Sequence, residues 1–156
     1  LEARNGRAAM AYAALLSGIT LAQVGLGSVH GLAQPLGSLF PLPHGVACGT
    51  TVAAAARVNI DALRERLSES PALMKYAHVG RLLSGKAVLS DAEAQEALVE
   101  VLEQWTEKLN LPRLGHFDIG ESDIPAIVAN ARGNSMKTNP VELSDEEIAA
   151  VIRPRL

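Results

Sequence analysis

The sequence is short of aromatic residues, cysteine and clustered charge, and each shortage excludes a class of protein. Aromatic side chains make up 3% of the 156 residues, which disfavours a β-sheet protein because strands draw on aromatic and β-branched residues. The single cysteine, Cys48, excludes an internal disulfide and is typical of a reducing compartment, so we predict a cytoplasmic protein. The net charge of −3 comes without any block of like charges, which argues against nucleic acid as a partner.

Charged residues are missing from one long stretch of the chain. No Asp, Glu, Lys or Arg occurs between Ala8 and Ala56, although such residues make up 20% of the sequence. A run of this kind is normally core, because charged side chains are rarely buried unpaired. Its first part, Ala8–Val24, is Ala-rich, contains polar residues and has no basic cluster at its far end. We therefore predict a buried helix there and no membrane association.

Alanine and leucine at helical spacing are abundant, and hydrophobic residues reach 48%. Apolar residues on almost every face of the first helix place it at the centre of a bundle. Ser90 and Ser144, each followed by a glutamate three residues later, are capping boxes that open two of the helices. The fold class is all-α, a helical bundle formed by residues 1–156 as a single domain. The predicted helices cover residues 2–25, 28–40, 44–67, 72–83, 91–109, 122–131 and 145–153. The second should kink or restart at Pro35, and we predict a loop over residues 115–120 and an irregular connector over 133–140.

Two histidines, His30 and His44, lie inside the uncharged run. Three prolines occur between them, so no straight helix can carry both and they must come from different elements. Imidazole is the commonest protein ligand for divalent transition metals, and Gly31 and Gly45 leave room for close backbone approach. The residues alone leave two interpretations open, half of a metal site or a pair of hydrogen-bonded core histidines.

A metal site built on these two histidines would be incomplete within the chain. Metal centres usually take at least three protein ligands, and no acidic residue occurs between Glu2 and Asp61. The other two histidines, His78 and His116, lie in amphipathic or loop surroundings, where we expect ordinary surface or packing roles. Gln34 follows His30 by four residues, so a helix would place both on one face.

The stretch from Gly27 to Gly45 resembles the signature of the iron-containing (group III) alcohol dehydrogenases. The resemblance rests on Gly27-x-Val29-His30-Gly-x-Ala-x-Pro35-Leu-Gly37, then Pro43-His44-Gly45-Val-Ala, and it extends to Lys75-Tyr76-Ala77, Leu111-Pro112 and Asn139-Pro140. The family has an N-terminal nucleotide-binding domain and a C-terminal helical domain of the dehydroquinate synthase-like type. The chain resembles the later part of that helical domain. This implies a fragment of a two-domain parent whose nucleotide-binding domain is absent.

The resemblance also implies a function for the parent protein. It would interconvert alcohols and aldehydes or ketones by metal-assisted hydride transfer, with NAD or NADP as the cofactor. The divalent metal, with Fe²⁺ favoured and Zn²⁺ as the alternative, is held in the family by one Asp and three His, two of which match His30 and His44. Many members carry a further histidine near the nicotinamide, four residues after the first ligand. Gln34 stands at that position and cannot carry a proton at neutral pH.

The same resemblance implies that this chain holds no catalytic residue and that the isolated chain is inactive. The expected partner of the parent is a small-molecule alcohol or aldehyde. Truncation would leave apolar surface along residues 8–56, which predicts a homo-oligomer. Two alternatives stay open: a non-enzymatic helical interaction module, and part of a zinc enzyme like dehydroquinate synthase or glycerol dehydrogenase.

Overall fold

Residues 2–156, the part of the chain that the computed structural model describes, fold into helices joined by short turns. Within that range there is no strand, so the predicted all-α class is confirmed. Three short 3-10 helices cover Leu114–Phe117, Glu121–Asp123 and Arg153–Arg155. The α-helices are α1 (Glu2–Val24), α2 (Ser28–Leu39), α3 (His44–Arg66), α4 (Pro71–Ser84), α5 (Asp91–Lys108), α6 (Ile124–Asn130), α7 (Asn134–Lys137) and α8 (Asp145–Ile152).

Capping residues in the sequence set where two of these helices begin. The Ser90 hydroxyl accepts a hydrogen bond from the Glu93 backbone N–H, while the Glu93 carboxylate accepts one from the Ser90 N–H at 2.9 Å. Ser144 and Glu147 repeat the arrangement at the start of α8. Both predicted capping boxes are therefore confirmed, and each satisfies backbone donors that a helix start leaves without partners.

The core that positions the candidate site lies between α2, α3, α6 and α8. Each fully buried leucine or isoleucine contributes about 1.5–3 kcal/mol to stability by leaving water. Because α2 and α3 both supply such residues to one cluster, their relative placement is held by packing. The fully buried members from these four helices are Leu32, Leu36, Ile60, Leu63, Ile127, Ile148 and Ile152.

Helix α2 continues through a proline, and it packs closely at a glycine. The structure has one helix across Pro35, where the sequence predicts a kink or a restart. A Cβ on Gly31 would lie 2.9 Å from Met136 Cε and 3.1 Å from the Ala131 carbonyl oxygen. The close approach expected at Gly31 is therefore confirmed. The same expectation for Gly45 is wrong, because nothing lies within 4 Å of a Cβ there.

Two segments predicted to be irregular contain short helical turns. The loop predicted over residues 115–120 begins within the 3-10 helix Leu114–Phe117, and the connector over 133–140 contains α7. Each turn carries one buried apolar side chain, Leu114 in the first and Met136 in the second. Burial of those side chains orders a segment whose local sequence has no helical periodicity.

Helix α1 is exposed, which contradicts the prediction of a buried helix at the centre of the bundle. No residue of α1 is buried, and its seven large hydrophobic side chains are 46–70% exposed. The helix ends at Gly25, which has φ +76°, and Thr138 Oγ1 donates a hydrogen bond to the Leu26 carbonyl just beyond it. The prediction failed because an apolar helix needs partners on every side, and no other helix within residues 2–156 packs along α1.

By length and composition, α1 is also the one helix within residues 2–156 that could cross a membrane. Core helices of soluble proteins and signal sequences meet the same criterion.

Candidate metal centre

His30 and His44, fourteen residues apart in the sequence, lie side by side in the structure. Their ring centroids are 5.3 Å apart and their planes are tilted by 52°. His30 belongs to α2 and His44 to α3, so the prediction that the two come from different elements is confirmed. The packing of α2 against α3 creates the pair, because neither helix carries both residues.

Local backbone geometry places each histidine close to the start of its helix. Gly27 is extended, with φ −148°, and α2 begins at the next residue, so His30 is the third residue of that helix. Pro43 is extended, with ψ 137°, and His44 is the first residue of α3. His30 is half-buried and His44 is exposed.

A third side chain with a metal-binding atom, Cys48, completes a cluster with the two histidines. Cys48 follows His44 by one helical turn, and its Sγ lies 3.5 Å from His44 Nε2. The ligand atoms of His30, His44 and Cys48 all lie within 4.8 Å of one another. In the sequence, Cys48 indicates only a reducing compartment. The spacing of four residues from His44 could have identified it, by the same reasoning that placed Gln34 beside His30.

The protonation state of His30 suits metal binding. Burial, and secondly the neighbouring imidazole of His44, lower the pKa of His30 below its usual value. His30 is therefore neutral at neutral pH and keeps a free lone pair, which is the form that binds metal. Burial raises the pKa of the Cys48 thiol. A bound cation reverses that effect, because it favours the thiolate strongly.

A buried network of amides holds the start of α2 in place, two residues before His30. The Ser28 N–H donates to Asn139 Oδ1 at 2.9 Å, Asn139 Nδ2 donates to Asn59 Oδ1 at 2.7 Å, and Asn59 Nδ2 donates to Ser28 Oγ at 3.1 Å. Asn59 lies on α3, so the network ties both histidine-bearing helices together. Asn139 is recognisable in the sequence only through the family resemblance, and Asn59 is not recognisable at all, since nothing in a lone asparagine shows what it will contact.

The other residues considered in the sequence lie outside the cluster. Gln34 is exposed, and its Oε1 lies 3.0 Å from the position that a Cβ on Gly133 would take. Its role beside a cofactor or substrate stays a prediction. His78 and His116 are exposed, and the ring of His116 meets Phe117 edge-on at 5.5 Å. Among residues 2–156, no carboxylate joins the cluster.

The donor set of the cluster fits a divalent transition metal. Imidazole nitrogens bind zinc at about 2.0–2.1 Å and thiolate sulfur binds it at about 2.3 Å, so two ligand atoms on one tetrahedral ion lie about 3.3–3.6 Å apart. The three ligand atoms lie within 4.8 Å of one another, so side-chain rotation is needed only where a pair exceeds that separation.

Comparison with known proteins places this arrangement in a family. The sequence model for "Fe-containing alcohol dehydrogenase family, C-terminal" matches residues 1–156. The chain is 33% identical to a 1,3-propanediol dehydrogenase of Klebsiella pneumoniae, covering 98% of this chain and 37% of that protein. It is 29% identical to an NAD-dependent methanol dehydrogenase of Bacillus methanolicus, covering 97% of this chain and 38% of that protein.

A solved structure agrees with the sequence match. The crystal structure of a 1,3-propanediol oxidoreductase superposes on this chain with a TM-score of 0.82 at 29% identity, covering 94% of this chain and 37% of the other. The chain thus spans little more than a third of the length of the relatives that it matches. The full-length family match and the shared helical fold show that the chain belongs to the C-terminal part of the Fe-containing alcohol dehydrogenase family.

Proposed function

We propose that this chain is the metal-binding helical part of an NAD(P)-dependent alcohol dehydrogenase that interconverts alcohols and aldehydes or ketones. The observation that carries the proposal is the pairing of His30 and His44, whose ring centroids lie 5.3 Å apart. The rest of the enzyme, including a nucleotide-binding domain, would lie outside residues 1–156. The short span of the chain relative to its relatives supports this arrangement.

The named activities of the relatives support a small-molecule alcohol or aldehyde as substrate. One relative is a 1,3-propanediol dehydrogenase and another is an NAD-dependent methanol dehydrogenase. Both names also favour the enzyme over the alternative of a non-enzymatic interaction module. We infer a cytoplasmic enzyme, in keeping with a single free cysteine.

His30 and His44 would hold the metal, and the proposal assigns Fe²⁺ first and Zn²⁺ second. Such a cation, when bound, supplies Lewis-acid polarisation of the substrate oxygen. Each histidine contributes one neutral ring nitrogen, and the lowered pKa of His30 keeps that nitrogen free of a proton. The amide network of Ser28, Asn59 and Asn139 orients the start of α2 and with it the His30 ring.

Gln34 would line the cofactor or substrate side of the centre. Its amide can donate and accept hydrogen bonds, but it cannot pass on a proton at neutral pH. A proton relay at position 34 is therefore not part of the proposal. We assign no catalytic residue to residues 1–156.

The test of the proposal is His44→Ala in the longer protein that carries this chain. His44 is exposed, so the substitution leaves the core intact. We expect the variant to lose its bound metal, measured by elemental analysis, and to lose alcohol oxidation with NAD or NADP. His116→Ala, another exposed histidine outside the cluster, is the matched control and should keep both. A His44→Ala protein that retained stoichiometric metal would overturn the assignment.

The proposal also sets an expectation for the 156-residue chain by itself. With added metal and cofactor it should not oxidise alcohols, because it lacks a nucleotide-binding domain. Reduction of NAD or NADP followed by absorbance measures this directly. Activity in the purified chain would show that residues 1–156 suffice for the reaction and would contradict the two-domain proposal.

A further inference from the structure

We propose that Cys48 is a third metal ligand beside His30 and His44, and that these three side chains bind Zn²⁺ in the 156-residue chain by itself. The inference rests on the proposed function only in taking the two histidines as ligands. It adds a thiolate ligand to the metal centre and assigns Zn²⁺ as the metal that the 156-residue chain prefers.

The distance between Cys48 and His44 is the one that a tetrahedral zinc ion requires. At the usual bond lengths, a thiolate sulfur and an imidazole nitrogen on one such ion lie about 3.6 Å apart. Cys48 Sγ and His44 Nε2 are 3.5 Å apart. The two residues are the first and fifth of α3, so the helix itself maintains the spacing.

His30 approaches the same point from the other helix. Its ring lies 5.3 Å from the ring of His44, centroid to centroid, and its ligand nitrogen completes the group of three within 4.8 Å. The amide network at Ser28 and the close packing at Gly31 hold α2 on both sides of His30. Two of the three ligands therefore share a rigid helix, and the third is held by a packed neighbour.

The chemistry of the donors selects the cation. A soft thiolate with imidazoles favours Zn²⁺, whereas Mg²⁺ prefers oxygen ligands. On binding, the Cys48 thiol releases its proton to solvent, the sulfur and the two ring nitrogens each donate an electron pair, and no electron is transferred. Three protein ligands leave the fourth tetrahedral position open for a small molecule, as catalytic zinc sites do.

Cobalt spectroscopy on the full 156-residue chain tests the proposal, because Co²⁺ takes zinc sites and a sulfur ligand gives it a near-ultraviolet charge-transfer band. We expect that band at one Co²⁺ per chain, and its loss when Zn²⁺ is added. Cys48→Ser should abolish the band while His30 and His44 remain. Failure of the chain to bind Co²⁺, bound cobalt without the band, or an unchanged band in Cys48→Ser would each overturn the proposal.

Thiol reactivity gives a second readout that does not depend on cobalt. Cys48 is the single cysteine of the sequence, so the rate of reaction with a disulfide reagent reports on it alone. Zn²⁺ should slow that reaction, whereas Mg²⁺ should not. His44→Ala should weaken the zinc protection by at least about 10- to 100-fold, the range that loss of an outer-shell partner alone produces. A rate that zinc leaves unchanged would overturn the proposal.

The two proposals can fail separately. The zinc and cobalt measurements use only the 156-residue chain and need no cofactor or substrate. The proposed function is tested by the metal content and activity of the longer protein. Suppose that the longer protein oxidises alcohols but Cys48→Ser leaves the cobalt band of the 156-residue chain unchanged. The assignment of Cys48 as a metal ligand is then wrong, whereas the proposed dehydrogenase function is supported.

Discussion

Helices α1 and α3 have the same length, 23 residues, and both are rich in alanine, yet one is fully exposed and the other buries more residues than any other helix within residues 2–156. No residue of α1 is buried, whereas ten residues of α3 are. The sequence would suggest the reverse, because α1 has no charge after Arg7 and α3 carries five charged residues in its last ten. Burial is therefore determined by the neighbours of a helix rather than by its composition.

The charged half of α3 shows how a more polar helix can be the central one. Two of its three arginines, Arg57 and Arg64, reach α5 and pair with Glu96, the second at 2.9 Å. Ile60 and Leu63, in the same stretch of α3, are 1% and 0% exposed. Helix α3 thus packs against α2, α4, α5 and α8, whereas no other helix within residues 2–156 packs along α1.

The largest difference between the two helices should come from truncating one leucine in each. Leu63→Ala on α3 removes a side chain that is 0% exposed and should lower the free energy of unfolding by about 2–5 kcal/mol. Leu21→Ala on α1, at a side chain 48% exposed, should stay within about 0.5 kcal/mol. Urea denaturation followed by circular dichroism measures both. A Leu21→Ala loss equal to that of Leu63→Ala would show that α1 packs against something in solution.

Adding a methyl group sharpens the same contrast between packed and unpacked helices. A Cβ on Gly80 of α4 would lie 1.8 Å from the Ala94 carbonyl oxygen of α5, so Gly80→Ala must push the two helices apart at a cost of about 1–3 kcal/mol or more. Nothing lies within 4 Å of a Cβ on Gly18 of α1. Gly18→Ala should therefore be stabilising, by up to about 1 kcal/mol through helix propensity. Thermal denaturation of both variants measures whether Gly80→Ala lowers the melting temperature and Gly18→Ala raises it, as we expect.

A hydrogen-bonded polar side chain of α3 should contribute to stability, whereas an exposed one of α1 should not. Asn59→Ala leaves Asn139 and Ser28 without their buried partner, and we expect a loss of about 1–2 kcal/mol. Gln23→Ala, at an exposed residue of α1, should change stability by less than about 0.5 kcal/mol. Guanidinium denaturation measures both, and equal effects would show that the amide network does not hold α2 and α3 together.

The smallest expected effect concerns pH. The hydrogen bond from Arg57, with a further one from Arg64, lowers the pKa of Glu96, so its stabilising contribution is present at neutral pH and is lost as the pH falls through the lowered folded-state pKa. Glu96→Gln should cost under about 1 kcal/mol at neutral pH, because the pair is partly solvent-exposed. The Glu96→Gln substitution should also make the free energy of unfolding fall less steeply as the pH is lowered.

Glu2→Gln on α1 is the matched control for that pH profile. Within residues 2–156, Glu2 forms no ion pair, so its substitution should leave the acid profile unchanged. Stability measured between neutral pH and about pH 3, below the ordinary carboxylate pKa, separates the two variants. An identical profile for Glu96→Gln and the unsubstituted chain would contradict the role given to Glu96.

Local sequence determined the long helices and where two of the helices begin. Ser90 and Ser144 each stand three residues before a glutamate, and the capping box needs only those two side chains and the adjacent backbone, so its prediction was confirmed. Prolines between His30 and His44 required two separate helices, which is a property of the chain and not of its packing. The signature around these histidines likewise pointed to the family that the comparisons show.

Tertiary structure alone decided which residues meet. Gly31 and Gly45 each follow a histidine, but only Gly31 faces a close neighbour, because Met136 and Ala131 pack there from distant parts of the chain. Cys48 joins a metal-ligand cluster because α2 places His30 beside it. Asn59 joins the amide network because the chain around Asn139 lies against α3. The exposure of α1 follows the same rule: periodicity states which face of a helix is apolar, whereas burial requires a second surface that the helix does not itself encode.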